Sequence, residues 1–253
     1  MDLKIDITSV CRGKKQILRD INAEIQKGSF TAVIGRNGCG KSTLLLAIAG
    51  IIPYTGSVTL GKSDLRDMTS HERARLVAVM LQHTSTPHIT VSELVSLGRS
   101  PYAGNFARLG EHDNEIIENA ICDAELCDVR NCFVDRISGG EVRRSYLGMA
   151  LVQDTPLLLL DEATAFMDVD REMRFLDMIE KKRLDSRKTV ISVMHDLSAA
   201  IKYADNVLLI DNGTAAFFGT VEELLSTDLV EKTFSVKRFI VDSNGKKRIF
   251  FST

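Results

Sequence analysis

The segment Gly35–Thr43, with the sequence GRNGCGKST, has the residue types and the spacing that bind a chain of phosphate groups. Glycines at positions 35, 38 and 40 let the backbone turn tightly and point its N–H groups inward. Lys41 supplies a positive charge to the β and γ phosphates, and Ser42 supplies a hydroxyl to Mg²⁺. The run FTAVI before the segment and TLLLAIAG after it give the strand–loop–helix context that such a loop requires. The residues predicted to bind the phosphates are Gly35, Arg36, Asn37, Gly38, Cys39, Gly40, Lys41, Ser42 and Thr43.

A second candidate site is the run LLLLDE, in which four leucines precede Asp161 and Glu162. The run predicts a buried strand that ends at the carboxyl edge of a sheet, where open α/β folds bind ligands. Asp161 would reach Mg²⁺ through water, and Glu162 would polarise the attacking water. Alone, such a run is often only a strand end that meets solvent. Together with the phosphate loop it predicts hydrolysis of a nucleotide.

These groups need a scaffold, and strand-like runs that alternate with helical patterns predict an α/β protein with a largely parallel sheet. Helix starts are predicted where a threonine precedes a glutamate by three residues, the spacing of a capping box. The predicted strands span residues 30–35, 76–81, 156–162, 189–195 and 206–211, and the predicted helix starts are Thr69, Thr90 and Thr220. Late in the chain, the segments 211–213 and 243–245 both place Asn-Gly between strand-like runs, which predicts two hairpin turns.

Strand signals largely disappear between Thr84 and about Thr155, while helical spacing persists. The simplest interpretation is a helical subdomain, residues 85–155, inserted into a core formed by residues 1–84 and 156–253. The alternative is that these helices are the crossover connections of one continuous fold.

Composition limits the function further. The 253 residues carry 32 basic and 34 acidic side chains, a formal charge of -2, so no global attraction to nucleic acid is expected. The start MDLKIDITSV lacks the pattern of a secretory signal, and the apolar run Leu44–Ile52 is far shorter than the roughly 18 residues of a membrane span. Five cysteines without a CxxC pair argue against a disulfide framework or a zinc site. We therefore expect a cytoplasmic protein.

Five elements in a fixed order resemble the ATP-binding cassette (ABC) ATPases over nearly the whole chain. They are the phosphate loop, Gln82 after LVAVML, the signature-like ISGGE at residues 137–141, LLLLDE followed by AFMD, and His195 after TVISVMH. The resemblance implies a P-loop NTPase core of the RecA-like type, with a mostly parallel sheet, an antiparallel β region and an inserted helical subdomain. It also implies ATP and Mg²⁺ as cofactors.

The same resemblance assigns roles to single residues. Gln82 senses Mg²⁺ and the attacking water, His195 contacts the γ-phosphate, and Asp168 lies in a loop that crosses a dimer interface. The implied metal-binding set is Ser42, Gln82 and Asp161. Two assignments of the catalytic group remain open, with either Glu162 as the base or His195 as the main organiser of the reaction.

The signature segment implies a shared site. In the family it binds the γ-phosphate held by the partner subunit, and Ser138 with the N–H groups of Gly139 and Gly140 has the donors for that role. Two chains arranged head to tail would complete two ATP sites, so a homodimer is expected on ATP binding.

Three positions depart from the family pattern. Arg12 stands where the family has an aromatic residue that stacks on adenine, and it is either a guanidinium substitute or a solvated charge. Glu141 replaces the usual glutamine of the signature, and Ala165 replaces the usual serine of the interface loop. The departures put adenine affinity and dimer coupling in question but leave the phosphate chemistry intact.

The run TVSELVSLGRSPYAG, residues 90–104, resembles the coupling region of ABC importers for iron-siderophore complexes, haem or cobalamin. The matching residues are Glu93, Leu94, Val95, Gly98, Arg99 and Pro101. This resemblance implies membrane permease subunits that contact about residues 83–104, an indirect solute-binding protein, and a location on the inner face of the cell membrane. Two alternatives stay open: the run is only a capped amphipathic helix and a turn, or the chain is a soluble ABC ATPase that remodels a protein complex, for example in iron-sulfur cluster assembly.

Overall fold

The computed structural model describes residues 1–82, 85–103, 109–165, 167–243 and 246–252, with the backbone alone for 240–243 and 246–248. Two compact units divide the chain, and they consist of Met1–Arg66 with Ile191–Thr253, and of Asp67–Val190. These two units are defined by their compactness alone. The division of the chain into a core and a helical subdomain, with boundaries at residues 84 and 156, stays a prediction.

The described strands in chain order are β1 (Leu3–Arg12), β2 (Lys15–Ile25), β3 (Phe30–Ile34), β4 (Thr55–Leu60), β5 (Ser63–Asp64), β6 (Val77–Met80), β7 (Leu157–Asp161), β8 (Thr189–Val193), β9 (Asn206–Asp211), β10 (Thr214–Thr220), β11 (Lys237–Ser243) and β12 (Lys246–Ser252). The described α-helices are α1 (Lys41–Ile48), α2 (Ser70–Ala74), α3 (Val91–Ser96), α4 (Glu111–Asp123), α5 (Gly139–Val152), α6 (Val169–Ser186), α7 (Leu197–Tyr203), α8 (Val221–Leu225) and α9 (Leu229–Phe234). The five strands predicted from apolar runs are confirmed as β3, β6, β7, β8 and β9, each within two residues of the predicted bounds.

In the first unit, β1 pairs antiparallel with β2 and β4, and β5 completes that sheet in the order β2-β1-β4-β5. Alternate residues of β1, beginning with Leu3, Ile5 and Ile7, are fully buried while their neighbours are exposed, as a half-buried strand requires. These strands were not among those predicted, because their pattern alternates and has no continuous apolar run. They form the antiparallel β region of the fold class.

The first unit also contains β3, which is buried at every residue and pairs in parallel with β9. Met194, just after β8, donates its N–H to the Val33 carbonyl at 3.1 Å. The hairpin predicted at residues 211–213 is confirmed, since Asn212 (φ 47°) and Gly213 (φ 79°) join β9 to antiparallel β10. β11 and β12 also pair antiparallel, but the turn predicted between them, Asn244-Gly245, lies outside the described residues.

In the second unit, β6 pairs in parallel with β7, with Met80 beside Leu160. The Thr189 N–H at the start of β8 donates to the Pro156 carbonyl at 2.9 Å. Because β6 and β7 run in the same direction, their carboxyl ends meet at one edge. That edge carries Gln82, Asp161 and Glu162.

The helical part of the second unit, α3 to α5, packs around its own apolar cluster. Its buried residues include Val91, Leu94, Val95, Ile117, Ile121, Leu126, Val142 and Val152. The helix starts predicted at Thr69, Thr90 and Thr220 are confirmed, each with a complete capping box. In the described part of the chain, no helix combines the length and the apolar character needed to cross a bilayer.

Candidate nucleotide site

The phosphate loop joins the buried end of β3 to the start of α1. Gly35 (φ 151°) and Gly40 (φ 110°) have backbone conformations that side chains disfavour. A Cβ at Gly35 would lie 2.2 Å from the Ile210 carbonyl oxygen, and one at Gly40 would lie 2.5 Å from Leu18 Cδ2. Contact with backbone therefore requires a glycine at position 35, and the positive φ disfavours a side chain at position 40.

Lys41 is the first residue of α1 and is only 5% exposed. Its Nζ donates to the Gly35 carbonyl at 2.8 Å and to the Arg36 carbonyl at 3.1 Å, so the ammonium group lies inside the loop. The Cys39 side chain is buried, and this burial raises the pKa of its thiol even though Lys41 lies close. Cys39 therefore stays a neutral thiol near pH 7 and contributes no charge to the loop.

A cavity of about 490 Å³ adjoins the loop within the first unit. It is lined by Lys15, Gln16 and Ile17 of β2, by the loop residues Arg36, Asn37, Gly38 and Cys39, by the β9–β10 turn, and by Lys232 and Thr233 of α9. Among the charged residues of its lining, Lys15, Arg36 and Lys232 outnumber Asp211, a balance suited to an anion with a polar attachment.

Two residues predicted to bind the nucleotide, Arg36 and Arg12, lie in surroundings that the sequence did not indicate. Arg36 donates through Nε to the Thr233 carbonyl and through a second nitrogen to Ser235 Oγ at 2.9 Å, which ties the loop to the end of α9. Arg12 lies exposed at the end of β1, beside Lys15 of β2. Stacking of Arg12 on adenine stays a prediction.

In the second unit, two of the predicted catalytic residues meet. Gln82 follows β6 and donates its Nε2 to Oε2 of Glu162, which follows β7. Glu162 has a left-handed backbone (φ 48°), which is uncommon for a non-glycine residue and occurs preferentially at functional sites. The carboxylate therefore has a fixed hydrogen-bond donor and a fixed backbone direction.

Asp161, the acid predicted to reach Mg²⁺, is the last residue of β7, as expected for the end of a buried strand, and it is itself buried. Arg143 of α5 lies behind this strand end, with Nη1 3.4 Å from the carbonyl oxygens of Glu162 and Ala163. Burial lowers the pKa of Arg143, while the Glu162 charge opposes this change. Sequence reasoning missed Arg143, because nothing local distinguishes it from a solvated arginine.

The signature segment forms the N-terminus of α5. Ser138 is the N-cap, exposed to solvent, and the Glu141 N–H donates to its Oγ at 3.4 Å. Glu141 Oε2 in turn accepts from the Ser138 N–H at 2.8 Å and from the Ser138 hydroxyl at 2.6 Å. These hydrogen bonds lower the pKa of Glu141, with the Ser138 side chain as the largest cause. The residue that departs from the family pattern thus completes a capping box.

The Ser138-x-x-Glu141 spacing is the same sequence signal that identified the three predicted capping boxes, and it could have been read in the same way. Asp168 is the N-cap of α6, accepting from the Arg171 N–H at 3.0 Å, and it forms an exposed ion pair with the Arg171 side chain. Ala165 is partly buried before α6, and Phe166 between them lies outside the described residues. His195 is exposed in the bend after β8, in the first unit.

The residues that match the importer coupling pattern serve mainly the internal packing of the helical part. Leu94 and Val95 belong to its apolar cluster. A Cβ at Gly98 would lie 2.1 Å from the Met149 carbonyl oxygen of α5. Arg99 is buried, forms an ion pair with Asp113 at 2.7 Å and donates to the Val152 carbonyl at 3.1 Å.

The sequence of this chain matches a family model and individual proteins. The family described as ABC transporter matches residues 18–165, more than half of the chain. The petrobactin import ATP-binding protein FpuD of Bacillus anthracis is 34% identical over 227 residues, covering 89% of this chain and 83% of the relative. The ferric enterobactin transport ATP-binding protein FepC of Escherichia coli (strain K12) is 33% identical over 232 residues, covering 91% and 86%.

A solved structure assigned to the metal-chelate type of ABC transporter, in an inward-facing conformation, has the same fold. Its TM-score is 0.85 at 22% identity, and the alignment covers 99% of this chain and 96% of that one. The likeness in fold confirms the predicted fold class, and the sequence matches confirm the predicted family. This chain belongs to the ABC transporter family of ATP-binding proteins.

Proposed function

We propose that this chain is the ATP-hydrolysing subunit of an importer for iron-siderophore complexes. The observation that carries the proposal is the similarity to FpuD and FepC, whose names give petrobactin import and ferric enterobactin transport. About one third of the residues are identical over about nine tenths of the chain. The coupling pattern at residues 90–104 points to the same class of importer.

The chemistry follows from the side chains of each unit. Lys41 and the loop N–H groups would bind the β and γ phosphates of ATP, and Glu162, held by Gln82, would orient the attacking water. Ser42, Gln82 and Asp161 offer the oxygen ligands that Mg²⁺ prefers, so the residue types fit this metal. When bound, Mg²⁺ would neutralise charge that develops on the phosphate oxygens. His195 would donate to a γ-phosphate oxygen.

We further propose that ATP joins two copies of the chain through the signature. Ser138 and Gly139 are exposed at the N-terminus of α5, a helix of 14 residues whose dipole favours an anion. A Cβ at Gly139 would find no described heavy atom within 4 Å, apart from its own helix and chain neighbours. Contacts among the described residues therefore do not explain why position 139 is a glycine. Close approach of a phosphate held by another chain would explain it.

The exposed interface loop supports the same assembly. Val169, next to Asp168, is 70% exposed although it is a large hydrophobic residue. A partner chain that covers this position would remove apolar surface from water.

We propose that the surface of the segment around α3 contacts the permease subunits on the inner face of the membrane. The buried residues of the coupling pattern hold this segment in place, and they leave Leu97 at its surface, 54% exposed. Leu97→Glu should abolish recovery of the chain with the permease subunits. Leu184→Glu is the matched control, because Leu184 is 62% exposed on α6. Equal loss in both variants, or in neither, would contradict this contact.

The function itself is tested by uptake. Cells that lack their own importer ATPase but keep a ferric siderophore permease should regain uptake of radiolabelled ferric siderophore when they express this chain. Expression of Glu162→Gln should restore none of it. If the chain restored uptake of cobalamin or haem in cells with the matching permease, and restored no uptake of ferric siderophore, the cargo would be cobalamin or haem instead. ATPase activity without uptake in any of these backgrounds would support a soluble function instead.

A further inference from the structure

A pair of thiols lies at the end of α4, in the helical part of the second unit. Cys122 is in the last turn of α4, and Cys127 begins the short 3₁₀ turn that follows. Their sulfur atoms lie 2.6 Å apart, and both side chains are exposed. A covalent S–S bond measures about 2.05 Å, so a small side-chain movement would bring the two sulfurs to bonding distance.

The backbone between the two cysteines holds them in this arrangement. The Leu126 N–H donates to the Ile121 carbonyl and the Glu125 N–H to the Cys122 carbonyl, both at 3.0 Å. Glu125 has the left-handed conformation that ends the helix, and Ala124 and Leu126 are fully buried. Because buried residues fix the turn, the two thiols stay close together, and little chain entropy is lost when they bond.

The pair of thiols has a positively charged neighbour and is exposed to solvent. Arg130 lies near both sulfurs and is itself paired with Glu118. The hydrogen bond with Cys127 is the largest cause of the raised pKa of the Cys122 thiol, and the Arg130 charge opposes it. Exposure gives small oxidants access to both.

We propose that Cys122 and Cys127 form a reversible disulfide with a low-molecular-weight disulfide as the oxidant, and that this bond restrains the segment Cys127–Phe133. The thiolate of one cysteine attacks one sulfur of the oxidant and releases one small thiolate. The thiolate of the other cysteine then attacks the protein sulfur of the mixed disulfide and releases the second. Two electrons pass from the protein sulfurs to the oxidant, and the two thiol protons end on the two small thiols.

The segment that follows Cys127 supports the first turn of α3. The Val91 and Ser92 N–H groups donate to the Cys132 and Arg130 carbonyls at 3.0 and 2.9 Å, and Thr90 forms a β-bridge with Phe133. A bond at Cys127 therefore acts on the backbone that holds the start of the coupling segment. Intracellular disulfides of this kind are typically transient and redox-sensing.

The experiment uses the full-length chain in glutathione buffers of increasing oxidised fraction, followed by alkylation of free thiols and peptide mass mapping. Cys122 and Cys127 should become protected together as a linked pair that has lost two hydrogen atoms and carries no glutathione. Cys122→Ser should leave Cys127 free or bound to glutathione. Cys132→Ser and Cys11→Ser, which change other exposed thiols, should leave the pair intact.

Hydrogen exchange tests the second half of the proposal. Oxidation should slow amide exchange in residues 129–134 of the wild-type chain and leave it unchanged in Cys122→Ser. Mapping of the wild-type protein does not depend on any variant folding. A Cys127–Cys132 linkage, glutathione retained separately on each exposed cysteine, or equal exchange in the oxidised and reduced protein would overturn the proposal.

Discussion

Replacing Glu141 separates its role in the fold from its proposed role beside the nucleotide of a partner chain. Its carboxylate accepts two hydrogen bonds from Ser138, at 2.6 and 2.8 Å. Glu93 accepts the same two bonds from Thr90, at 2.7 and 2.8 Å, at the start of α3. Glu93 is therefore a matched control with the same local geometry outside the signature.

The local cost can be worked out from these contacts. Glu141→Ala removes both bonds and the charge at the helix N-terminus, and at an exposed cap this should cost about 1–1.5 kcal/mol of unfolding free energy. Glu141→Gln keeps an oxygen that can accept both bonds, and it loses only the charge, at a cost of about 0.5 kcal/mol. Glu93→Ala should likewise destabilise the fold more than Glu93→Gln, because the bonds are the same.

The effect on ATP-dependent dimerisation should differ between the two sites. In the proposed dimer, the Glu141 carboxylate faces a phosphate of the partner, and two unit charges about 5 Å apart in water repel by about 0.8 kcal/mol. Glu141→Gln should therefore tighten the ATP-bound dimer about fourfold or more. Glu93→Gln should leave it unchanged. Denaturant unfolding gives the first quantity, and analytical ultracentrifugation of the hydrolysis-deficient Glu162→Gln background gives the second.

An unchanged dimer in Glu141→Gln, or an equal change in both glutamine variants, would rule out charge repulsion between Glu141 and the phosphate of the partner. A pH series gives an independent check of the folding part. The lowered pKa of Glu141 means that its carboxylate stabilises the folded state above the ordinary glutamate pKa of about 4.3. That stabilisation is lost as pH falls through the lowered value, and Glu141→Gln should not show this loss.

Three further predictions concern single positions. Glu162→Gln should keep ATP binding but slow hydrolysis, so light scattering should detect a stable dimer at saturating ATP; a chain that stays monomeric would contradict the proposed assembly. Ser138→Arg should leave ATP affinity of the monomer near normal and abolish turnover, whereas an equal loss of affinity would mean that the signature acts within its own chain. Gly98→Ala should lose about 1–3 kcal/mol of stability because its Cβ would overlap the Met149 carbonyl, whereas Gly139→Ala should keep its stability and lose ATP-dependent dimerisation. Thermal unfolding and ATPase assays separate the two, and a destabilised Gly139→Ala would count against a free signature surface.

Many elements of this fold were predictable because their signals are local. The buried strands β3, β7 and β8 are mainly apolar runs, and the capping boxes at Thr69, Thr90 and Thr220 depend on residues only three positions apart. The alternating strands β1 and β2 were missed, since half of their residues face solvent and give no apolar run. The capping box at Ser138 carries the same signal as the others, but Glu141 was considered only as a departure from a family pattern.

The sequence alone determined the phosphate loop, because its glycines, Lys41 and Ser42 are neighbours along the chain and need only the adjoining strand and helix. Only the tertiary structure decided which distant residues meet. Gln82 reaches Glu162, 80 positions away, because β6 and β7 pair in parallel and end at one edge. Burial of Arg99 against Asp113 and the approach of Cys122 to Cys127 likewise depend on packing and on a turn fixed by buried residues. Composition and spacing indicate the local conformational preference of a segment. These contacts form only when the chain folds and buries its apolar side chains in a core.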